Sequence, residues 1–262
     1  MNHQAKKKYG QNFLRDKNLL MKIVRESHIE HKHVVEVGPG QGALTSYLAE
    51  QALDVIAYEI DTTLSSILSE LERKYANLKV VYGDFLEADL SIYPHELHVV
   101  ANVPYYITTP ILFKLLETKT IKTASLMIQK EVCDRLLATP DSKDYNALSV
   151  ILQYQAHAFK MLDVKRHMFY PVPQVDSAVI RIEKRENRLI EESKEVFFIK
   201  FVKGAFKQKR KTMVNNLHET FGITKPELEH YLEKQNISVQ TRAEALTLEQ
   251  FIKLTKEWPY DY

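Results

Sequence analysis

Four acidic or amide side chains stand where short apolar runs break off. They are Glu36 in "VVEVGPGQG", Glu59 in "DVIAYEI", Asp84 in "LKVVYGD" and Asn102 in "LHVVAN". Behind Glu36 come Gly38, Gly40 and Gly42. Glycine turns reach positive φ and let a ligand approach the backbone. A helix starting there offers unpaired N–H groups and a positive dipole end. Glu59 follows Gly38 by 21 residues, the spacing at which a carboxylate accepts hydrogen bonds from a ribose hydroxyl pair. A carboxylate at Asp84 can take an adenine amino group. The turn is G-x-G-x-G rather than the dinucleotide pattern G-x-G-x-x-G. It therefore suits a nucleoside without pyrophosphate, such as S-adenosyl-L-methionine, and the chain offers no set of residues for hydride transfer.

Asn102 opens the stretch "NVPYYITTP" (102–110). Its prolines block regular structure, and loops at strand ends are where sites are built. Pro110 is expected in the first turn of the next helix, with Thr108 or Thr109 as its cap.

These groups need a scaffold that brings strand ends together. Strands are expected at 33–37, 54–60, 78–84, 97–102 and 124–129, short apolar runs that carry β-branched residues. Between the first three lie helix-length segments, one with Leu64, Ile67, Leu68 and Leu71 on a single face. Strand–helix–strand repetition implies an α/β fold with a mostly parallel sheet. Ligands then bind at the carboxyl ends of the strands. Two further runs, 148–158 and 176–184, lack an obvious helix between them and read as strands forming an antiparallel edge. After about 186 the texture turns helical, with Thr224 before Pro226 as a start signal. The expected domains are 1–186, carrying the sheet, and 187–262, all-helical.

The chain has 262 residues, 45% hydrophobic and 27% charged, as an ordinary globular protein does. Its single cysteine, Cys133, excludes a disulfide framework and reads as a buried helix position. His31 and His33 flank a strand start and read as surface residues, so no metal site is expected. No apolar run reaches membrane-helix length and the first residues lack a signal-peptide pattern; a cytoplasmic, monomeric protein is the expectation. The net charge of +2 is uninformative, but "KKKYG" and the stretch 200–218, with six Lys/Arg and no acid, concentrate positive charge around Tyr9, Phe201 and Phe206. Such runs suit an anionic partner.

Ten segments carry a family resemblance in order: "GQNFL", "VEVGPGQGALT", "AYEID", "GDFL", "NVPYYITTP", "QKEV", "YNALSVILQY", "FYPVPQVDSAV", "FKQKRKT" and "RAEALTLEQF". Over residues 6 to about 253 the chain resembles the ribosomal RNA adenine dimethyltransferases, most of all their bacterial small-subunit branch. The resemblance implies a Rossmann-like class I methyltransferase sheet and a helical RNA-binding domain. It implies methyl transfer from S-adenosyl-L-methionine, leaving S-adenosyl-L-homocysteine, to two adjacent adenosines near the 3′ end of small-subunit rRNA. The implied partner is that rRNA within an immature small subunit. Gln11, Asn12 and Leu14 would close over the cofactor; Gly38 and Gly40 would line its methionine part, Glu59 its ribose, Asp84 with Phe85 its adenine, and Ile60 and Asn102 would also contact it. Asn102, Val103, Pro104 and Tyr105 would hold the target adenine, with Phe169 on its other face. Lys203, Lys207, Lys209, Arg210 and Lys211 would neutralise phosphates. The sequence departs from the family in having valine at 103, where leucine is usual, and tyrosine at 106 in place of a polar residue.

Two other readings share these motifs: the large-subunit rRNA methyltransferases of the macrolide-resistance type, and a non-catalytic nucleic-acid-binding relative. "FKQKRKT" and the "RAEALTLEQF" tail favour the small-subunit branch. The intact Gly38, Glu59, Asp84 and Asn102 favour an enzyme. The "RAEALTLEQ" stretch itself reads as helix-capping structure.

Overall fold

The computed structural model describes residues 12–14 and 16–260. The elements run β1 (Phe13–Leu14), α1 (Lys17–Glu26), β2 (His33–Val37), α2 (Ala43–Gln51), β3 (Asp54–Glu59), α3 (Ser65–Lys74), β4 (Leu78–Tyr82), β5 (Leu97–Asn102), α4 (Thr108–Glu117) and β6 (Ile121–Gln129). They continue as α5 (Lys130–Leu136), α6 (Ala147–Gln155), β7 (Ala156–Val164), β8 (Phe169–Tyr170), β9 (Ser177–Lys184), α7 (Glu192–Ala205), α8 (Met213–Phe221), α9 (Lys225–Lys234) and α10 (Leu248–Lys256).

Seven strands form one sheet in the order β4-β3-β2-β5-β6-β9-β7. The first five are parallel and β9 is antiparallel to β6, with Met127 opposite Val179. The order reverses at β2/β5, which opens a crevice at the carboxyl ends of these strands. β2 buries Val34, Val35 and Val37, as a strand covered on both faces must. Leu64 and Leu68 are fully buried and Leu71 packs on the core, as their shared helix face requires. A separate two-stranded ribbon pairs β1 with β8, Phe13 opposite Tyr170 and Leu14 opposite Phe169.

The chain divides into two compact units: residues up to Cys133 with Ala158–Lys184, and Asp134–His157 with Arg185–Tyr262. The second unit thus starts at Arg185 rather than 187, and it also takes in 134–157, which the sequence assigns to the first domain. The stretch 148–155 is a helix, not a strand. Its apolar residues cover several faces, with Val150, Ile151 and Leu152 all buried, so it carries no period that separates the two. Asn146 settles it by accepting the Leu148 N–H at 2.8 Å, while the Ser149 hydroxyl oxygen accepts the Asn146 N–H at 3.2 Å. The strand begins only at Ala156.

In the second unit Phe201, Phe221, Phe251, Tyr231 and Trp258 form one aromatic cluster. The helical texture expected after about 186 is interrupted between α7 and α8. Buried Asn216 pins the break: its amide donates to the carbonyls of Ala205 (2.7 Å) and Gln208 (3.1 Å) and accepts the Gln208 N–H (3.2 Å). Thr224 starts α9 as expected, its N–H donating to Glu227 at 3.1 Å. Thr247 starts α10, which fits the capping role read for that segment: its hydroxyl accepts the Gln250 N–H at 3.3 Å.

Candidate active site

The turn after β2 is built for glycine. Gly38, Gly40 and Gly42 have φ of 70°, 57° and 80°. A β-carbon on Gly42 would stand 2.1 Å from Leu71 Cδ1, and one on Gly40 2.9 Å from Phe13 Cε1. Beside Gly38 the space within 4 Å is open, a cradle that a ligand can enter. The turn is tied to the next strand, because Glu59 accepts the Gly40 N–H at 3.0 Å on one oxygen and the Asp61 N–H at 2.8 Å on the other. Each oxygen keeps a second lone pair for a hydroxyl. Burial raises the Glu59 pKa and these two N–H bonds oppose the rise.

Glu36, one strand inward, is 2% exposed, and its Oε2 has no hydrogen-bond partner among the described residues. Burial lifts its pKa to about 8, with Thr45 pulling the other way and the neighbouring Glu59 adding to the rise. The carboxyl therefore carries a proton at neutral pH. Asp84 ends β4 and caps the following 3-10 turn by accepting the Leu86 N–H at 2.9 Å. The Phe85 ring is 4% exposed and lies edge-on to Tyr58, so it anchors that turn more than it offers an open face.

At the end of β5 the Asn102 amide nitrogen donates to the Asn12 carbonyl at 2.9 Å. That bond fixes which end of the amide is which and leaves Oδ1 as the acceptor. The Val103 N–H donates to Met127 O at 3.1 Å, holding the loop against β6. Pro104 has φ −57°. Tyr105 is half-buried and its hydroxyl lies 2.7 Å from Ser177 Oγ, while its carbonyl accepts from the Thr108 hydroxyl at 3.1 Å. Thr108 is therefore the first residue of α4 and not its cap. Ile107 takes the cap position at the end of a 3-10 turn, with no side-chain bond, although Pro110 does sit in the first turn.

One cleft is lined by Asn12, Leu14, Gly38, Gly40, Glu59, Ile60, Asp84, Phe85, Asn102, Val103, Pro104 and Tyr105. Every one of them was singled out from sequence. Phe169 is not among the lining residues: it is 3% exposed and belongs to the core with Leu14. Gln11 and the "KKKYG" run lie outside the described residues. Phe13, Met127 and Tyr106 also line the cleft and were not assigned a role. Phe13 sits inside "GQNFL", where its opposition to Gly40 could not be seen without the fold. In the second unit Lys207, Lys209, Arg210 and Lys211 lie in the break after α7. Glu219 faces Lys211 Nζ at 2.5 Å and Lys207 Nζ at 3.9 Å, and Lys209 Nζ donates to Lys143 O at 2.6 Å. Exposed pairs of this kind are weak, so these cations remain exchangeable toward phosphate.

The sheet order, the glycine turn and the polar row on one crevice make this a Rossmann-like methyltransferase. Among solved structures the fold is similar to a dimethyladenosine transferase from Plasmodium falciparum, with 27% identity, a TM-score of 0.79, and coverage of 92% of this chain and 95% of that one. The 23S rRNA methyltransferase ErmE is similar at 29% identity and a TM-score of 0.75, covering 94% and 98%. The chain belongs to the ribosomal RNA adenine dimethylase family, whose model matches residues 2–258. A relative from Aster yellows witches'-broom phytoplasma named ribosomal RNA small subunit methyltransferase A is 50% identical over 98% of this chain and 97% of its own length. The Lactococcus lactis protein of the same name is 44% identical over 95% and 88%.

Proposed function

We propose that this enzyme methylates the N6 amines of two adjacent adenosines near the 3′ end of small-subunit rRNA, using S-adenosyl-L-methionine, during assembly of that subunit. The observation that carries the site assignment is the Asn102–Asn12 bond. It aims an amide oxygen into a cleft that also holds Glu59, Asp84 and the glycine turn. The residues present fit the cofactor: open space at Gly38, carboxylates for ribose and adenine at Glu59 and Asp84, and in the same lining the buried Glu36, whose Oε2 has no partner among the described residues. When bound, it supplies a methyl carbon on a positively charged sulfur.

The chain's own task is to make a poor nucleophile react. An adenine amine has its lone pair delocalised into the ring. Acceptors at its two N–H bonds, Asn102 Oδ1 and the Val103 carbonyl, hold the amine and favour a pyramidal nitrogen. Tyr105, fixed by Ser177 and Thr108, stacks on the base and stabilises the positive charge that reaches it. Pro104 fixes φ between acceptor and ring. No strong base is required, since a methylated adeninium amine readily loses its proton to water. Catalysis is mostly positioning and charge stabilisation. Phe169 would reach the base only if the β1–β8 ribbon shifts. The basic turn 207–211 and Lys203 bind phosphates, and the cell compartment that goes with an rRNA substrate of this kind is the cytoplasm.

The relatives named for the small subunit, at 50% and 44% identity, favour this reading; the likeness to the 23S rRNA methyltransferase ErmE supplies the second reading to test it against, methylation of large-subunit rRNA. The test is to incubate the protein with labelled S-adenosylmethionine and either immature small-subunit particles or naked large-subunit rRNA, and to map the label. Adjacent labelled adenosines in the particle support the proposal. Label only in large-subunit rRNA supports the second reading, and label in neither supports a binding protein. Asn102→Ala should abolish transfer while cofactor binding weakens only moderately; full activity would overturn the site.

A further inference from the structure

The segment after β4 carries both proposed adenine contacts, Asp84 and Phe85, yet has almost no ladder of its own. It folds as two 3-10 turns, Phe85–Glu87 and Leu90–Ile92. Turns this short leave backbone carbonyls without partners. A single ammonium meets two of them: Lys114 Nζ donates to Leu86 O at 2.9 Å and to Ala88 O at 2.6 Å. The same nitrogen lies 5.6 Å from the centre of the Phe85 ring, within cation–π range. The Thr120 hydroxyl adds a bond to Leu90 O at 3.1 Å.

Lys114 stands on α4, whose other inward residues are Ile111, Leu112, Leu115 and Leu116. That helix begins directly after the Tyr105–Ile107 turn, so it is also the backing of the amine-gripping loop. Its far end is held in turn: Lys184 Nζ donates to Leu115 O at 3.4 Å and Thr118 O at 2.8 Å. A lysine ordinarily keeps its charge in water; here it is turned inward and spent on two carbonyls and a ring.

We infer that Lys114 is a positioning residue that sets the adenine clamp at Asp84–Phe85 and joins it to the helix behind the loop that holds the methyl-accepting amine. This rests on the cofactor reading given above. Lys114 does not line the cleft. It acts by holding the Asp84 carboxylate and the Phe85 backbone at fixed positions before the ligand arrives, which lowers the ordering cost of binding.

The test compares the full chain with Lys114→Met, Lys114→Gln and Lys114→Arg, measuring S-adenosylhomocysteine binding by calorimetry and steady-state kinetics on small-subunit particles. Removing the ammonium leaves two half-buried carbonyls unmet, which should weaken binding about tenfold. KM for S-adenosylmethionine should rise by the same factor, with kcat at saturation changed less than about twofold. Lys114→Arg keeps the charge and two donors and should recover most of the loss. In an Asp84→Asn background, which keeps an acceptor for the turn, the Lys114→Gln effect should shrink to less than about threefold. Unchanged binding in Lys114→Gln and Lys114→Met, or full multiplication with Asp84→Asn, would overturn the inference. If Asp84→Asn alone binds as tightly as the wild type, the cofactor assignment has failed instead.

Discussion

Replacing Glu36 with glutamine should stabilise the sheet-bearing unit, and by more as the pH rises. The carboxyl is fully buried and its pKa rises from 4.5 to about 8. A group whose folded pKa is raised stabilises the fold below its unfolded pKa, and that stability is lost as pH climbs through the folded value. At pH 7 the unfolded chain has released this proton and the folded chain has not. The difference, 1.36 kcal/mol for each of the 2.5 units from 4.5 to 7, comes to about 3 kcal/mol. At pH 5 it falls to about 1 kcal/mol. Glutamine has the same size, carries no charge at any pH, and removes this dependence. In a chain of this length the gain should raise the melting temperature by roughly 5–10 °C at pH 7 and little at pH 5. Scanning calorimetry of both proteins between pH 5 and 8 reads the difference directly. Taking the difference matters, because His98, held down to about 4 by burial and by Lys32 and Arg181, makes stability rise with pH over its own window. Equal pH profiles for the two proteins would refute a protonated Glu36.

Gly42→Ala should destabilise the fold by about 2 kcal/mol, since its φ is 80° and the new methyl meets Leu71; unchanged urea unfolding would contradict this. Gly40→Ala, pressed against Phe13, should weaken S-adenosylhomocysteine binding more than it lowers the melting temperature, which calorimetry on the same samples can separate. Asn216→Ala removes three bonds that hold the α7–α8 break and should cost about 3 kcal/mol, seen as a lower melting temperature of the helical unit. Charge reversal at Lys207 and Arg210 should weaken RNA binding and flatten the plot of log affinity against log salt by about 1 for each phosphate no longer neutralised; an unaltered slope would exclude the basic turn from the interface.

Much of the site was legible because its chemistry sits at strand ends. Each of Glu36, Glu59, Asp84 and Asn102 stands at or just past the end of a run readable as a strand, and the parallel order then brings them to one edge. The errors fall where local pattern is silent. The run 147–155 is apolar on every side, so helix and strand share the same text, and only the Asn146 cap distinguishes them. The break at 206–212 depends on Asn216, a buried amide eight residues beyond Gln208, and no periodicity reports a side chain folding back on a turn. The resemblance places Phe169 against the target adenine, but β8 alternates. Pairing with β1 turns Phe169 inward and leaves Tyr170 outward at 56% exposed. Lys114 looks like one more cation on an amphipathic helix, and its task appears only once the carbonyls of Leu86 and Ala88 are placed around it.

The ribbon of Phe13–Leu14 with Phe169–Tyr170 sets a time as well as a shape. The stretch that steadies Asn102 through the Asn12 carbonyl leaves the ribosome ahead of the whole sheet, and its partner strand emerges only after the five parallel strands are already made. Until Tyr170 is available, the β1 edge is unmatched. Pairings of such long sequence separation form late, after the local contacts that precede them. A chain cut short of Phe169 would lack the strand that pairs with Phe13–Leu14, and so the anchor next to the Asn12 carbonyl that takes the Asn102 amide.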